Sequence, residues 1–306
     1  MIKVGCCGYP VSRNKYWESL SLVELNNTFY SYPRIQTVVK WREEAPKDFE
    51  FTVKAHQDIS HKSRLRLETA LEPFEKMKGI CRELRAKILL IQTPASFTPE
   101  GLEAAERFFK SISRNGLTIA WETRGPVWEE QKVRQRLKPI LEKLDVPHVT
   151  DPFKTVPIYM GRTAYFRLHG RGEEMYYYQY SDDELRDLYN LVEPFSREGS
   201  EVYVLFNNLS MFDDSKRFLS LVKEGRIPPL REKKGLEAVG DLLSRIVYPS
   251  TKSAISKKVG WNLIETVEGR QIRLSELLDD LPSRTYKNVE DLLSELRKRR
   301  LSEGLS

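Results

Sequence analysis

The sequence contains little cysteine and no long apolar run. Its three cysteines are Cys6, Cys7 and Cys81, an adjacent pair and a third residue far along the chain. Cysteines placed in this way do not form a disulfide framework, so they indicate a reducing compartment. The start of the chain, MIKVGCCGYP, lacks the charged head and apolar segment of a leader, and no run approaches the length that crosses a bilayer. These absences predict a cytoplasmic protein with no membrane partner.

Histidine and the common phosphate-binding motifs are also scarce. The chain has only four histidines, and His148 stands before the end of its predicted strand, which argues against a histidine-rich multi-zinc site. No Gly-rich phosphate loop, nucleotide fingerprint or metalloprotease motif is present. Positive charge is in excess, because 50 Lys and Arg residues outnumber 44 Asp and Glu residues and give a net charge of +6. This charge is compatible with a polyanionic partner such as DNA or RNA.

Short apolar stretches rich in β-branched and aromatic residues alternate with segments of helical spacing. Near-continuous apolar strands between amphipathic helices are typical of a parallel sheet covered by helices. The candidate strands lie at 2–8, 22–30, 49–56, 86–93, 116–124, 147–151, 163–170 and 201–208, and the helices at 34–45, 66–85, 100–114, 129–144, 182–198 and 212–224. Eight such units predict an α/β fold, a TIM-type (β/α)8 barrel, irregular where the connections after the first and sixth strands are short.

The character of the chain changes after Pro228 and Pro229. The last 76 residues of the 306-residue chain contain no strand series, and helical patterns occur near 235–247, 250–259, 273–280 and 288–301. We therefore predict a barrel domain over residues 1–230 and a small, mainly helical C-terminal module over residues 231–306. The basic run ELRKRR at 295–300 either ends a solvated helix or contacts nucleic acid.

Polar side chains interrupt the apolar strands late in their runs, and several come two positions apart. Because strand side chains alternate in direction, residues two apart share a face. In barrels of this type the active site lies at the carboxyl ends of the strands. We therefore predict one shared polar site at that end. It comprises the pairs Glu24 with Asn26, Lys54 with His56, Glu122 with Arg124, Arg167 with His169 and Cys6 with Gly8, and the strand-terminal Gln92, Asp151, Asn207 and Asn208.

The chain contains, in order, the segments VELNNTFY, FTVKAHQDISH, ILLIQTPASF, AWETRG followed by Trp128, YFRLHGR followed by a Tyr and a Ser, and VYVLFNN. In order and spacing these resemble the motifs of the YecE-like family, known as domain of unknown function 72. The resemblance covers about residues 2–225 and implies a TIM-type barrel, but it implies no particular reaction. The motif residues carried onto this sequence are Glu24, Asn26, Thr28, Tyr30, Lys54, His61, Gln92, Glu122, Arg124, Trp128, Arg167, His169, Gly170, Arg171, Tyr180, Asn207 and Asn208.

The sequence departs from the family pattern in two motifs. CCGYP stands where the family usually has a Ser-Gly-Trp type of turn, and ETRG stands where Glu-Phe-Arg-His is common. The first departure removes a hydroxyl from strand one. The second removes a histidine that would have been a ligand or a base.

Four cations near the predicted mouth suit an anionic, phosphate-bearing substrate. Arg124, Arg167 and Arg171 offer bidentate contacts to phosphate or carboxylate oxygens, and Lys54 offers a point charge. The predicted substrate-binding residues are Lys54, His61, Arg124, Trp128, Arg171, Tyr180, Asn207 and Asn208.

Three carboxylates from different strands allow two kinds of chemistry. Glu24, Glu122 and Asp151 either bind one divalent ion, Mg²⁺ or Mn²⁺, through oxygen, or serve as a base and its orienting partner. His169 is the preferred general acid or base because its ordinary pKa lies near neutrality, and the alternative is a histidine bonded within the core. His61 lies in a basic stretch that either receives a phosphate chain or forms a soluble loop.

Aromatic residues follow the same strands. Among them are Trp128 and the run YYYQY, which ends at Tyr180. Aromatic rings stack on unpaired bases while Arg and Lys hold the backbone, and the same mixture suits sugar binding. Core packing is the alternative for any single ring, but three consecutive tyrosines predict a lid or a binding ledge.

These residues allow three functions. The favoured hypothesis is a hydrolytic enzyme acting on the phosphodiester bonds of nucleic acid, such as a repair-type endonuclease. In it the cations, including Arg167, hold phosphate, His169 transfers a proton, and Glu122 with Glu24 binds a metal or activates water. The second hypothesis is an isomerase or lyase of a phosphorylated sugar, with Glu122 as the proton-abstracting base. The third is a non-catalytic nucleic-acid-binding module.

Overall fold

The structure is a computed structural model that describes residues 1–298, and eight parallel strands form a barrel. From β1 to β6 each strand pairs with the next in the chain, and β1 also pairs with β8, which pairs with β7. The barrel closes between β6 and β7, where the Arg167 N–H donates to the Thr150 carbonyl at 3.0 Å. The predicted TIM-type barrel is confirmed. Its strands are β1 (Ile2–Cys7), β2 (Leu22–Leu25), β3 (Glu50–Lys54), β4 (Ile88–Gln92), β5 (Thr118–Glu122), β6 (His148–Val149), β7 (Thr163–Leu168) and β8 (Glu201–Phe206).

Helices follow all but one of these strands. They are α1 (Arg13–Trp17), α2 (Ile35–Glu44), α3 (Leu67–Leu84), α4 (Leu102–Ser111), α5 (Gln131–Leu144), α6 (Asp182–Arg197) and α7 (Met211–Glu224). The connection after β6 has no helix, and α1 has only five residues, so the irregularity predicted after the first and sixth strands is present. A capping box begins α6, in which the Ser181 hydroxyl accepts the Glu184 N–H and the Glu184 carboxylate accepts the Ser181 N–H.

Side chains of alternate strand positions fill the barrel. Its apolar middle consists of Cys7, Leu22, Ile88, Leu90, Ala120, Val149, Tyr165, Tyr203 and Leu205. Such layers of side chains from different strands make the interior a packed core rather than a pore. Glu24 and Arg167 follow the interior residues Leu22 and Tyr165 by two positions on β2 and β7, so their side chains also point into the barrel. The alternation that buries the apolar core therefore also places charged groups at the carboxyl end.

Two of the predicted polar pairs are wrong in part. Cys7, not Cys6, faces the barrel interior, whereas the Cys6 thiol faces α7 and lies 3.3 Å from the Ser215 hydroxyl. His56 also points outward, where its ring stacks on Tyr32 at 3.9 Å between centroids. For Cys6, the predicted alternation of side-chain direction was shifted by one residue. For His56, the prediction extended β3 beyond Lys54, where the strand ends.

The C-terminal module contains more strand than predicted. Its helices are α8 (Gly235–Leu243), α9 (Lys252–Val259), α10 (Leu274–Asp279) and α11 (Val289–Lys298), and its short strands are β9 (Ser250–Thr251), β10 (Leu263–Glu265), β11 (Gln271–Arg273) and β12 (Thr285–Tyr286). The strands form two antiparallel ribbons, β10 with β11 and β9 with β12. Strands of two or three residues carry no periodicity, which is why the sequence did not reveal them.

The module packs around its own apolar cluster. This cluster includes Val239, Leu242, Ile255, Leu278 and Leu292 and contains no barrel residue. The predicted helix at 288–301 corresponds to α11, and residues 299–306, with the last two residues of ELRKRR, lie outside the described part of the chain.

Contacts join the module to the barrel. The Gln179 side chain, before α6, accepts the Leu263 N–H at 2.9 Å, and the Arg273 guanidinium lies 4.0 Å from the Tyr178 ring centroid. Within residues 1–298, no helix has both the length and the apolar character needed to cross a membrane.

Candidate functional site at the carboxyl end of the barrel

Arg167 lies at the centre of the polar site and is only 1% exposed. Its Nη1 donates to Glu122 Oε2 and, at 3.3 Å, to Gln92 Oε1. Its Nη2 donates to Glu24 Oε1 at 2.8 Å and to Asn26 Oδ1 at 3.4 Å. Both terminal nitrogens are therefore occupied by protein acceptors from three strand ends and the turn after β2. This geometry makes Arg167 an internal counter-ion rather than the phosphate-holding group that was predicted.

Glu24 is fully buried and receives further hydrogen bonds from the barrel interior. The Tyr165 hydroxyl donates to Glu24 Oε2 at 2.7 Å, and the Asn26 amide donates to Glu24 Oε1 at 2.9 Å. Tyr165 in turn lies 2.8 Å from the Thr52 hydroxyl. Because its oxygens are held in this way, Glu24 has a fixed position beneath the site.

A second arginine links the buried charges to the mouth. Arg124 Nε donates to Glu122 Oε1 at 2.8 Å, and Arg124 Nη2 lies 2.8 Å from His169 Nε2. Arginine has donors only, so His169 Nε2 accepts this hydrogen bond and the ring proton is on Nδ1. Four predicted residues, Glu24, Glu122, Arg124 and His169, thus join Arg167 in one network.

This network sets the ionisation of its members. Burial alone would raise the pKa of the Glu122 carboxyl, but the charges of Arg167 and Arg124 outweigh it and hold that pKa well below its usual range. Burial, with the same two arginines, lowers the pKa of His169 to about 3. At neutral pH Glu122 is therefore a carboxylate that is a poor proton acceptor, and His169 is a neutral hydrogen-bond acceptor.

Asp151 has the opposite properties. It follows β6 by two residues, so it continues the inward face of Val149. Its Oδ1 accepts the Phe153 N–H at 3.1 Å, and the His169 N–H lies 3.5 Å from its Oδ2. Burial raises the pKa of Asp151 to about 6, although the Phe153 N–H and the Lys154 charge lower it. A carboxyl group with this pKa is suited to exchange a proton near neutral pH.

Lys54 occupies the end of β3 without a charged partner. Its amine lies 4.4 Å from the centroid of the Phe29 ring, and no carboxylate within residues 1–298 forms an ion pair with it. Burial and the neighbouring Arg167 lower the pKa of Lys54 to about 8. The nearby carboxylates Glu24 and Glu122 are paired with Arg167 and leave the lysine amine free.

A cavity of about 650 Å³ opens beside this network. Its wall includes Gln92, Glu122, Arg124, Asp151 and His169. Ligand pockets for small molecules have volumes of this order and are shaped by a few convergent polar groups. The cavity therefore places the predicted site residues around a space for a small ligand.

Two cations in the cavity wall were not predicted. Lys154 lies in the helix-free connection after β6; its backbone N–H donates to the Asp151 carbonyl at 2.9 Å, and its amine forms no hydrogen bond or ion pair with residues 1–298. Arg134, from the first turn of α5, donates to the Thr155 hydroxyl at 3.0 Å and to the Val156 carbonyl at 2.8 Å. Both residues lie outside the strands, whereas the predicted site residues were taken mainly from strand ends. The irregular connection after the sixth strand was the sequence feature that could have indicated Lys154.

His61 also lines the cavity, as the prediction of a substrate contact requires. Its ring contacts Phe29 at 4.9 Å between centroids, and burial with the Lys54 charge lowers its pKa. Asn207 follows β8 and is half-buried; its backbone N–H donates to the Leu168 carbonyl at 2.7 Å. Asn207 is not among the residues that line the cavity of about 650 Å³.

Several predicted substrate contacts have structural roles instead. Trp128 lines the cavity but is only 2% exposed, because its ring stacks on Phe97 and its indole N–H donates to the Phe97 carbonyl at 2.9 Å. The Tyr180 ring is fully buried, and its hydroxyl accepts the Gly170 N–H at 3.0 Å. These aromatic residues were placed near the mouth correctly, but they pack into the walls.

Two further predicted contacts lie away from the cavity. Asn208 donates to the Tyr178 carbonyl at 2.8 Å and to Asp214 at 2.7 Å, which ties the end of β8 to α7. Arg171 lies on the surface, where it pairs with Glu184 at 3.2 Å. Neither side chain faces the space that the cavity provides.

The predicted metal site does not form within residues 1–298. No three side chains among their His, Cys, Asp and Glu residues are grouped as metal ligands. Arg167 occupies the space between Glu24 and Glu122, and Asp151 hydrogen-bonds to backbone N–H groups. The three carboxylates therefore do not converge on one point as oxygen ligands would.

A second cleft, of about 1100 Å³, lies between the barrel and the C-terminal module. The connection between β7 and α6 forms one wall with Tyr177 and Tyr178, and the module forms the other with Trp261 and Lys257. Met175 of the same connection lines the barrel cavity. This connection separates the two spaces, and two of the consecutive tyrosines face the cleft rather than the barrel mouth.

A family model described as "Protein of unknown function DUF72" matches residues 12–232. The chain belongs to the DUF72 family. The YecE protein of Escherichia coli strain K12 is 32% identical over 103 residues, which are 33% of this chain and 37% of YecE, so the match spans little more than a third of that relative. The YunF protein of Bacillus subtilis is 24% identical over 239 residues, 68% of this chain and 85% of YunF. The resemblance seen in the motifs is confirmed.

Solved DUF72 structures share the fold. A DUF72 protein from Thermotoga maritima has a TM-score of 0.59 and 26% identity, covering 73% of this chain and all of the other. One from Enterococcus faecalis has a TM-score of 0.59 and 25% identity, covering 73% and 96%. A xylose isomerase domain-containing protein from Salmonella typhimurium, 15% identical with a TM-score of 0.52, covers 72% and 96% and shows the same fold alone. The DUF72 match ends at residue 232, before the first helix of the C-terminal module.

Proposed function

We propose that this protein is an enzyme that transfers a proton to or from a small anionic substrate, an isomerase or lyase of a phosphorylated sugar or a related compound. The observation that carries the proposal is the cavity of about 650 Å³ at the carboxyl end of the barrel, in whose wall lies a carboxyl group with a pKa of about 6. Sites at this end of the barrel are where enzymes of this fold carry out their chemistry.

The cavity wall supports an anionic substrate. The Arg134 guanidinium hydrogen-bonds only to neutral groups, and the Lys154 amine forms no hydrogen bond or ion pair among the described residues, while its charge acts on nearby Asp151. Arg124 adds a third cation, a guanidinium that is paired with Glu122. Two cations that face one cavity without a directly bonded carboxylate favour binding of phosphate or carboxylate oxygens.

Asp151 takes the role of base that the sequence had suggested for Glu122. Glu122 lies between two guanidinium groups that stabilise its charge, so proton uptake there is unfavourable. Asp151 is buried without a cationic hydrogen-bond partner, and its ionised form is correspondingly more basic. Glu122, Glu24 and Arg167 are then positioning residues, which fix Arg124 and His169 in the cavity wall.

The test measures exchange of carbon-bound protons with solvent, which requires no knowledge of the final product. The protein is incubated in D2O with phosphorylated aldoses and ketoses of three to six carbons, and deuterium incorporation beside the carbonyl group is followed by NMR. We expect exchange with a phosphorylated compound and a loss of about 10²- to 10⁴-fold in Asp151→Asn, the usual contribution of a general base. The exposed Asp48→Asn is the matched control.

The pH dependence of this exchange gives a second criterion. A base acts in its ionised form, so kcat/KM rises with pH through about 6 and then levels off as Asp151 becomes fully ionised. Absence of exchange with every compound, or equal exchange in Asp151→Asn and the native chain, contradicts the proposal.

Hydrolysis of nucleic acid is the second candidate, and the inter-module cleft favours it. Tyr177 and Trp261 line this cleft together with Lys257, and the cleft adjoins the barrel cavity across a single connection. Aromatic rings beside a cation suit single-stranded bases and their backbone. An extended strand along the cleft would bring one nucleotide to the cavity.

Cleavage of end-labelled DNA and RNA separates the two candidates. Single-stranded, duplex and damaged oligonucleotides are incubated with EDTA, Mg²⁺ or Mn²⁺, and Asp151→Asn is assayed alongside the native chain. Discrete products that disappear in the variant support the nuclease. Salt-sensitive binding without cleavage or proton exchange would instead support a non-catalytic nucleic-acid-binding module.

A further inference from the structure

We propose that Lys54 is a nucleophile whose amine forms an imine with an aldehyde or ketone that bears a phosphate or carboxylate group. This deepens the proposed function, on which it rests for the anionic substrate class, by specifying a carbonyl compound. The proposal stands on the position and the surroundings of the side chain.

The position of Lys54 is unusual for a lysine. The residue ends β3 two positions after Thr52, whose hydroxyl contacts Tyr165 inside the barrel, so the Lys54 side chain also starts from the inward face. It is half-buried, and the Phe29 ring contacts both its amine and His61 of the cavity wall. The amine is therefore one aromatic ring away from a residue that lines the cavity.

The surroundings leave this amine without a counter-ion. Lys3, at the other end of the barrel, pairs with Glu50 at 2.8 Å, whereas the carboxylates nearest to Lys54 pair with Arg167. Arg167 therefore does two things: it occupies Glu24 and Glu122, and it places a fixed positive charge near the lysine. Burial beside another cation is the arrangement that increases the unprotonated, nucleophilic fraction of a lysine amine near neutral pH.

The chemical step is balanced without an oxidant or reductant. The nitrogen lone pair forms a bond to the carbonyl carbon while the carbonyl π electrons move to oxygen, giving a carbinolamine after proton transfer. The hydroxyl then leaves as water after it takes a proton, and a C=N bond replaces the C=O bond. The protonated imine withdraws electrons from the neighbouring carbon, where Asp151 would accept the proton.

Pyridoxal 5′-phosphate is a suitable probe because it is an aldehyde that carries a phosphate and absorbs light when bound as an imine. The full chain is incubated with the probe at pH 7.5, reduced with borohydride and digested, and the labelled lysines are identified by mass spectrometry. We expect labelling at Lys54 that is about tenfold or more faster than at the exposed Lys40, because a larger fraction of the Lys54 amine is unprotonated.

Two variants and one analogue make the test decisive. Lys54→Arg keeps the positive charge and is expected to lose the imine absorbance, whereas Lys40→Arg is expected to keep it. Pyridoxal without phosphate is expected to react more slowly if the anion is recognised. Labelling of Lys54 no faster than Lys40, or imine absorbance that persists in a folded Lys54→Arg protein, overturns the proposal.

The outcome is independent of the proton-exchange assay. Labelling of Lys54 with no proton exchange would support Lys54 as a nucleophile and would reject the proposed isomerase or lyase function. Proton exchange without labelling would reject the imine and retain the proposed function. If Lys54 only holds phosphate, inorganic phosphate binds more weakly to Lys54→Met and no imine absorbance appears, which also rejects the proposal.

Discussion

The two ends of the barrel interior carry similar polar groups in different surroundings. At the amino end, Lys3 contacts Glu50, Glu201 and the Tyr203 hydroxyl at 2.8, 3.3 and 2.9 Å. At the carboxyl end, Arg167 contacts Glu24 and Glu122, and a tyrosine hydroxyl again donates to one of the carboxylates. Each end thus places one cation between two acids and a tyrosine.

The ends differ in their access to water. The side chains of Lys3 and Glu50 are 18% and 19% exposed and that of Glu201 is 52% exposed, whereas those of Arg167 and Glu24 are 1% and 0% exposed. Partly solvated ion pairs contribute little to stability, while a buried charge depends on its partners. The comparison shows that the carboxyl end keeps its charges at an energetic cost, which is typical of a site rather than of a scaffold.

Removing the central cation of each end tests this difference most strongly. Arg167→Met leaves Glu24 and Glu122 buried without their counter-ion, and we expect it to lower the free energy of unfolding by about 3–5 kcal/mol. Lys3→Met removes a partly exposed ion pair and keeps a side chain of similar length, and we expect a loss of about 0–1 kcal/mol. Urea denaturation at pH 7 measures both values.

Equal losses in the two variants would contradict the comparison. If Arg167→Met is unfolded under all conditions, Arg167→Lys provides the measurement, because it keeps the charge and loses part of the hydrogen bonding. We then expect an intermediate destabilisation that still exceeds that of Lys3→Met.

Neutralising one acid at each end has a smaller expected effect. Glu122→Gln leaves Arg167 with Glu24 as its only carboxylate, and we expect a loss of about 1.5–3 kcal/mol at pH 7, the cost of removing a hydrogen-bond partner from a charged group. Glu50→Gln at the amino end is the matched control, with an expected loss of about 0–1 kcal/mol.

The difference in stability between the native chain and Glu122→Gln depends on pH because the pKa of Glu122 is low. The folded state holds the pKa below its usual value, so the ionised carboxylate contributes stability above the unfolded value of about 4.3. That contribution is lost as the pH falls below this value toward the folded-state pKa. The gap between native and Glu122→Gln stabilities is therefore constant from pH 7 to about 5 and narrows at pH 4 and below. A gap that widens on acidification would show that Glu122 is not the stabilised ion.

Much of the fold was predictable because its determinants are local. Apolar strands and amphipathic helices alternate along the chain, and each of the eight predicted strands overlaps a strand of the barrel. The boundary of β6 was not predictable, because the Asp151 carbonyl accepts the N–H groups of Lys154 and Thr155 in a local turn. The short strands of the C-terminal module pair through contacts distant in sequence, and their own residues give no periodic signal.

The grouping of several polar residues at one end of the barrel was predictable, but the contacts that each of them makes were not. Strand alternation brought Glu24, Glu122 and Arg167 to one face correctly, because position on a strand fixes direction. The charged partner of each residue depends on how the barrel closes, because Glu24 and Arg167 are 143 positions apart in sequence. The Tyr180 ring is buried in the wall of the barrel, although the sequence around it resembles that of an exposed lid.

The smallest expected effect concerns the link between the buried charges and the cavity. Arg124→Met removes both a positive charge and the hydrogen bond that Arg124 donates to His169 Nε2, so we expect the pKa of His169 to rise from about 3 while staying below 6.5, because burial persists. NMR titration of the imidazole protons, assigned with His169→Asn, measures the change. Lys3→Met alters a charge of the same sign at the other end of the barrel and is expected to leave the His169 titration unchanged. An unchanged titration in Arg124→Met would mean that Arg124 has no part in keeping His169 neutral and does not link the buried charges to the cavity.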